Sequence, residues 1–335
     1  MVSGSLAPIL RRLRPPVLVL STRVGRGMYS IGEAVCENLP ESAGRAHYAV
    51  EDLLPPGSVN EDLERYKLIS SRFRPLLYII YTFPVFYWRK YARERYIKRT
   101  DLGRLEAKIR SLQPKTVVCV SHRASFWASN LKEKTGMDFD ITVVVGEYGR
   151  NIGYRYLFWE CINRVISPLD REKTGLELPE NVEFLTAELP ARRVYHELSQ
   201  KAGDRNKVLL VCGFWGQGPI REIIRQIIGS ARQVEVTAVC GENRALYDSV
   251  LAEFGRDPRV RAYGIVDSLA PLMVECASII TKPGISTLVE AHAVRRKIFL
   301  LKGMPVAEDN NAEYAIRNMG AEWFGLVGFK RWVGA

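Results

Sequence analysis

Short apolar runs recur along the chain, each followed by a turn and, in most cases, by a helix-period pattern. The first is Pro16 to Ser21 (PVLVLS), with Gly25, Gly27 and Gly32 punctuating the turn and helix behind it. Others fall at Thr116 to Ser121, Ile141 to Val145, Lys207 to Cys212, Val234 to Val239, Ser278 to Thr281 and Lys297 to Leu301. Runs that are apolar throughout suit strands covered on both faces, and the βα alternation predicts parallel sheets between helices. The pattern restarts at Lys207 after the polar stretch SQKAGDRN. The predicted fold class is α/β, with two Rossmann-like doubly wound domains facing a central cleft. The first covers residues 1–198, a linker 199–206 and the second 207–335. A length of 335 residues agrees with two domains, and no short-period repeat or low-complexity tract interrupts them.

Sheets of this kind bind ligands at the carboxyl ends of their strands, and the richest such end lies in Ser278 to Ala312. A strand ends in Lys282, Pro283 and Gly284. A helix then begins at Ile285 to Thr287, where Ser286 and Thr287 are expected to cap its amides and leave a positive dipole end for a phosphate. Glu290 lies four residues after Ser286 on the same face, within reach of a ribose hydroxyl. The next strand leads to a polar loop with Glu308, Asp309, Asn310 and Asn311. Upstream, Gly213, Phe214, Trp215, Gly216, Gln217 and Gly218 separate the strand KVLLVC from the helical run IREIIRQII. Glycines there let backbone amides approach a pyrophosphate, and an ordinary strand-to-helix turn is the competing reading. Cys240, Gly241, Glu242 and Asn243 end the strand after that.

This order resembles the donor-binding domain of two-Rossmann-domain (GT-B) glycosyltransferases, in particular the monogalactosyldiacylglycerol synthase and processive diacylglycerol glucosyltransferase family. Family members typically read T-K-P-G-G-x-T, then a helical glutamate, then P-G-Q-E-E-x-N-A. This chain has Thr281, Lys282, Pro283, Gly284, Thr287, Glu290, Pro305, Glu308, Asn311 and Ala312 at those places, and Ala307 where the family has glutamine. Cys240 to Asn243 resembles the family's C-G-x-N. Val260 to Val266 resembles the strand and turn that hold the nucleotide base, with Gly264 to Val266 against a uracil edge. The resemblance implies a UDP-sugar as donor substrate with no separate cofactor, a lipid acceptor (diacylglycerol), and inversion at the sugar. The donor residues it implies are Gly213, Gly216, Gly218, Gly241, Asn243, Gly264, Val266, Lys282, Pro283, Gly284, Ser286, Thr287, Glu290, Glu308 and Asn311.

In the first half, Ser21 to Ala34 (STRVGRGMYSIGEA) resembles the family's S-x-x-x-G-x-G-H, with Met28 in place of the histidine. A thioether accepts no proton at neutral pH, so no base acts from residue 28. His122 follows the strand TVVCVS and matches the histidine of the family's S-x-H segment; its imidazole is the first candidate base, and a strand-end histidine bonded to backbone is the alternative. Glu147, in VVVGEYG, is the second candidate base. His47, His196 and His292 read as structural. Met28 and Ala307 motivate a rival reading, a non-catalytic nucleotide-binding scaffold, and a polyprenyl-linked or small-molecule acceptor is a further alternative.

Charge narrows the partners. The chain has 48 Lys+Arg against 37 Asp+Glu, a net +11, which favours a phosphorylated donor, an anionic membrane surface or nucleic acid. No RNA motif or basic helix-turn-helix is present, so nucleic acid is set aside. Phe73 to Arg99 interleaves aromatics with Lys and Arg, and its apolar part, Pro75 to Trp88, is shorter than the about 20 residues of a bilayer span and contains Pro84. It reads as a peripheral dock, rings in the interface and cations on headgroups, or as a partly buried helix with a solvated basic tail. Asp138, Phe139 and Asp140 form a D-x-D that reads as a loop end, and no metal site is predicted, since no histidine has ligand spacing to a cysteine. Cys36, Cys119, Cys161, Cys212, Cys240 and Cys276 form no CxxC pair and read as buried thiols of a reducing compartment. The first residues lack a secretory core, so the expected location is cytoplasmic and peripheral to a membrane. The sequence stops soon after the donor motifs, at FGLVGFKRWVGA, whereas family members usually continue through further helices, one of which braces the first domain; either the brace is lacking or the sequence is a truncated product.

Overall fold

The computed structural model describes residues 5–55, 68, 101–149, 152–303 and 307–334; the aromatic and basic segment Phe73 to Arg99 lies outside them. The chain divides into two compact units, one built mainly from Met1–Arg192 and the other from Arg193–Gly303 and Glu308–Ala335. The stretch read as a linker carries a helical turn, Leu198–Gln200, and the exposed start of the strand Asp204–Val211.

The first unit holds β1 (Val17–Ser21), β2 (Ala46–Ala49), β3 (Thr116–Val120), β4 (Asp140–Val144), β5 (Arg164–Ser167) and β6 (Glu183–Thr186) in the order β2-β1-β3-β4-β5-β6. The second holds β7 (Asp204–Val211), β8 (Glu235–Val239), β9 (Val260–Tyr263), β10 (Cys276–Thr281), β11 (Lys297–Leu300) and β12 (Glu322–Trp323) in the order β12-β11-β10-β7-β8-β9. Every pairing is parallel. All five residues of β1 and of β3 are buried, which is why these strands are apolar end to end.

Among the described residues the helices of eight residues or more are α1 (Gly27–Asn38), α2 (Gly103–Leu112), α3 (His122–Thr135), α4 (Ile220–Ser230), α5 (Arg244–Phe254), α6 (Ile285–Ala293), α7 (Ala307–Asn318) and α8 (Leu326–Val333). Helix α4 shows how they are held. Ile220, Ile223, Ile224 and Ile227 fall on one face and are all buried, each worth roughly 1.5–3 kcal/mol of apolar burial. None of the described helices is long and apolar enough to cross a membrane.

Each sheet reverses its winding once. In the first unit the chain passes from β1 to β2 on one side, and β3 then pairs on the other side of β1. In the second it winds β7, β8, β9 outward and returns to place β10 on the opposite side of β7. The crevices where open α/β sheets bind ligands are therefore at the carboxyl ends of β1 and β3, and of β7 and β10.

Candidate functional site

In the second unit the end of β7 runs into a tight glycine loop. Gly216 N–H donates to the Gly213 carbonyl at 3.1 Å and Gln217 N–H to the Cys212 carbonyl at 3.2 Å. Gly216 has φ +58°, and a Cβ there would collide with the Cys240 carbonyl oxygen, so only glycine fits. The loop after β8 is stitched to it. Glu242 N–H donates to the Phe214 carbonyl at 2.8 Å, and Asn243 Nδ2 donates to the Gly216 carbonyl at 3.2 Å. Asn243 Oδ1 also accepts from Leu246 N–H at 3.0 Å, capping α5. Gly241 packs on Phe214, while Gly264 and Val266 follow β9 with the exposed Ile265 between them. The expected glycine residues thus form one pair of interlocked turns.

Across the switch point, β10 ends at Thr281 and the Lys282–Pro283–Gly284 turn leads into α6, with Gly284 N–H donating to the Lys282 carbonyl at 2.7 Å. One expectation is corrected here. The N-cap is Gly284 and no side chain caps the helix. Ser286 and Thr287 lie inside the first turn, past the position from which a hydroxyl can reach back to the N2 and N3 amides. The first-turn amides of Ile285, Ser286 and Thr287 therefore have no side-chain cap, which leaves the positive helix end that a phosphate requires. Glu290 sits one turn further along α6 and is 4% exposed.

The first turns of α7 close this corner. Lys282 Nζ pairs with Glu308 Oε1 at 2.7 Å, and Asn311 Nδ2 donates to the Pro283 carbonyl at 3.2 Å. Lys282 also lies against the glycine loop, since a Cβ at Gly213 would stand 2.6 Å from its Cε. Residues from the ends of β7 and β10 and from α7 thus meet at one point. The motifs name the members of this cluster, but the Lys282–Glu308 bond spans 26 residues of sequence and no local pattern announces it.

In the first unit the two candidate bases come into one neighbourhood. His122 opens α3 directly after Ser121, whose buried backbone has φ +143° and ψ 157°, a region that side chains rarely occupy and that costs about 1–3 kcal/mol. The Ser121 hydroxyl offsets part of this by accepting from Ala124 N–H at 3.1 Å. His122 is partly buried, lies against Gly153 and meets Tyr154 edge-on at 5.8 Å. Desolvation, helped by the neighbouring Arg123, pushes its pKa down to about 4, so the ring is neutral at pH 7. Tyr154 is pushed well above the ordinary phenol range by burial and by nearby Glu147. The Met28 thioether packs on Gly146, beside Glu147, and fills the place the family gives to histidine.

Tyr154 and Gly153 were not singled out from the sequence. Neither was the contact of His47 Nε2 with Ser21 Oγ, at 2.7 Å, or its packing on the Tyr29 ring at 4.7 Å. Burial, and then the Arg23 charge, push His47 down to about 4 as well. The D-x-D carries no cluster: Phe139 is core, and Asp140 begins β4 and pairs with Arg14 at 2.9 Å. Among the described residues no group of three or more His, Cys, Asp or Glu is placed to hold a metal. All six cysteines are free thiols, and burial pushes Cys161 and Cys240 up to about 11 and Cys212 and Cys276 up to about 12.

Two doubly wound parallel sheets of this kind recur in solved structures. The chain is similar to MurG of Acinetobacter baumannii, with a TM-score of 0.55 and 13% identity over 93% of this chain and 86% of that one. It is also similar to the spinosyn rhamnosyltransferase SpnG, with a TM-score of 0.52 and 10% identity over 96% and 90%. The fold is the GT-B fold. Among curated proteins it is similar to the processive diacylglycerol beta-glucosyltransferase of Bacillus cereus (strain AH187), at 23% identity over 323 residues, 92% of this chain and 81% of that protein. A protein of the same name from Bacillus mycoides (strain KBAB4) is 34% identical over 118 residues, 34% of this chain and 30% of its own. No protein-family model matches the chain. The resemblance carried by the donor motifs is borne out by these relatives.

Proposed function

We propose that the chain transfers a hexose from a UDP-sugar to a lipid hydroxyl, that of diacylglycerol, with inversion and at an anionic membrane surface. One observation carries the donor part of the reading: Lys282 and the uncapped start of α6 lie together at the carboxyl ends of β7 and β10, with the buried Glu290 further along the same helix. Cation, amide donors and diol acceptor are the groups a nucleoside diphosphate needs. On this reading the amides of the α6 start take the diphosphate as it departs, beside a glycine loop whose Gly216 and Gln217 amides are held within the loop, Glu290 holds the ribose, and Gly264 to Val266 meet the uracil edge.

The acceptor oxygen bonds to the anomeric carbon as the bond from that carbon to the diphosphate breaks, and the hydroxyl proton passes to His122 or Glu147. UDP is the leaving group. The names of the relatives favour a diacylglycerol acceptor. The aromatic and basic segment Phe73 to Arg99, outside the described residues, favours the membrane surface.

Met28 favours a second reading, a scaffold that binds nucleotide without turnover. The two separate when the chain is incubated with a panel of radiolabelled UDP-hexoses, diacylglycerol and either neutral or anionic vesicles, and the lipid fraction is chromatographed. Label in the lipid fraction from one donor, appearing faster with anionic vesicles, is the expected result. Donor binding with unlabelled lipid would establish the scaffold.

A further inference from the structure

The Lys282–Glu308 pair is built into the second unit from both sides. Its side chains are 19% and 8% exposed. Two glycines, distant in sequence, make room for it: a Cβ at Gly213 would stand 2.6 Å from Lys282 Cε and 3.4 Å from Nζ, and one at Gly303 would overlap Glu308 Oε2. Asn311, one turn along α7 from Glu308, holds the next carbonyl of the same turn, that of Pro283. A shielded ion pair adds little stability over apolar residues of equal volume, because desolvating two charges offsets most of their attraction. Stability is thus a poor reason for this one. What the pair achieves is position. A long lysine side chain with many rotamers is fixed with its ammonium beside the Gly213 turn, at the switch point of the sheet.

We infer that Glu308 and Asn311 are positioning residues for the Lys282–Pro283 turn, and that Lys282, so held, is the side-chain cation that meets the donor's diphosphate. The inference rests on the nucleotide-sugar reading of this unit and narrows one assignment within it. Glu308, which the resemblance gives to the sugar or the nearby phosphate, acts through Lys282. An ammonium has three donors, and Glu308 engages one of them, which leaves donors for a phosphate. Because Glu308 acts on the phosphate side, it contributes equally to UDP and to any UDP-hexose, and sugar choice does not run through it.

The test is calorimetric titration of UDP, uridine and a UDP-hexose into the full chain and into Lys282→Met, Glu308→Gln and the double variant. Lys282→Met is expected to weaken UDP roughly 10- to 100-fold, as for a lost charge-assisted bond, and to leave uridine unchanged. Glu308→Gln is expected to weaken UDP and UDP-hexose by one common, smaller factor and to add nothing in the Lys282→Met background. A Glu308→Gln chain that loses UDP-hexose while keeping UDP, or whose loss persists in full without Lys282, overturns the inference. Should Glu308→Gln lose uridine too, as a misfolded chain would, Glu308→Asp keeps the charge and is held to the same pattern. The parent chain decides the underlying reading separately. A parent that binds no UDP removes the donor site itself, whereas a parent that binds UDP while Glu308 acts on the hexose alone removes only this inference.

Discussion

The imidazole of His122 rests on Gly153: a methyl group at residue 153 would stand 2.5 Å from Cγ of the ring and overlap Cδ2. Gly153→Ala therefore tests His122 without touching it. The ring must turn off its Tyr154 contact, and a displacement of about 1 Å at a catalytic group can slow a reaction roughly 100-fold. Transfer should fall by about that factor in Gly153→Ala and vanish in His122→Ala, while calorimetry returns the parent's UDP affinity for both. Parent-like turnover in either variant would move the base elsewhere, with Glu147 next in line.

The two depressed histidines set a pH dependence with a definite sign. Unfolded, His47 and His122 take protons near pH 6.5; folded, burial holds them neutral down to about pH 4. Between those values the unfolded chain binds more protons, so stability is fully present above pH 6.5 and is lost as pH falls toward 4. With allowance for partial exposure, the loss is on the order of 1–2 kcal/mol for each histidine. Melting temperature should drop through that window, and His47→Gln should flatten the slope. Transfer rate, if His122 is the base, should show no inflection near pH 6.5, since the neutral ring persists well below it.

The glycine loop after β7 allows a contrast between two alanine substitutions. In Gly216→Ala the left-handed backbone and the Cys240 carbonyl both oppose the methyl, and destabilisation of about 2–4 kcal/mol is expected, together with lost UDP binding. At Gly284 the backbone is extended and nothing lies within 4 Å of a built Cβ, so Gly284→Ala should stay within about 0.5 kcal/mol of the parent. Thermal unfolding of the two variants side by side distinguishes them. Equal melting temperatures would mean the interlocked turns are not as described.

The sequence made the fold legible where burial on both faces leaves a plain apolar run, as at PVLVLS, TVVCVS and KVLLVC. It did not reveal β2 (AHYA), β5 (RVIS) or β6 (EFLT), because four residues with a charge or a histidine among them carry no periodic signal. The donor corner was legible for a related reason, since Lys282 and Gly284 fall between a strand end and a helix start with Glu290 on that helix, whereas Glu308 and Asn311, expected in a polar loop, lie in the first turns of α7. The start of α6 at Ile285 was legible too, but its cap was not: Ser286 and Thr287 lie inside the helix, and the capping position falls to Gly284, which has no side chain. Contacts between distant segments, Lys282 with Glu308 and His122 with Gly153, are set by the strand order and so were out of reach.

On the proposed reading the second unit holds a nucleoside diphosphate, with the diphosphate on the start of α6 and the ribose on Glu290. Calorimetric titration of UDP into the parent chain and into Glu290→Ala measures this most directly. Saturable binding of one UDP per parent chain is expected, weakened in Glu290→Ala by about 1.5–3 kcal/mol as for a lost hydrogen bond to a charged group. A parent chain that gives no binding heat with UDP, or a Glu290→Ala chain that binds UDP as tightly as the parent, would contradict it.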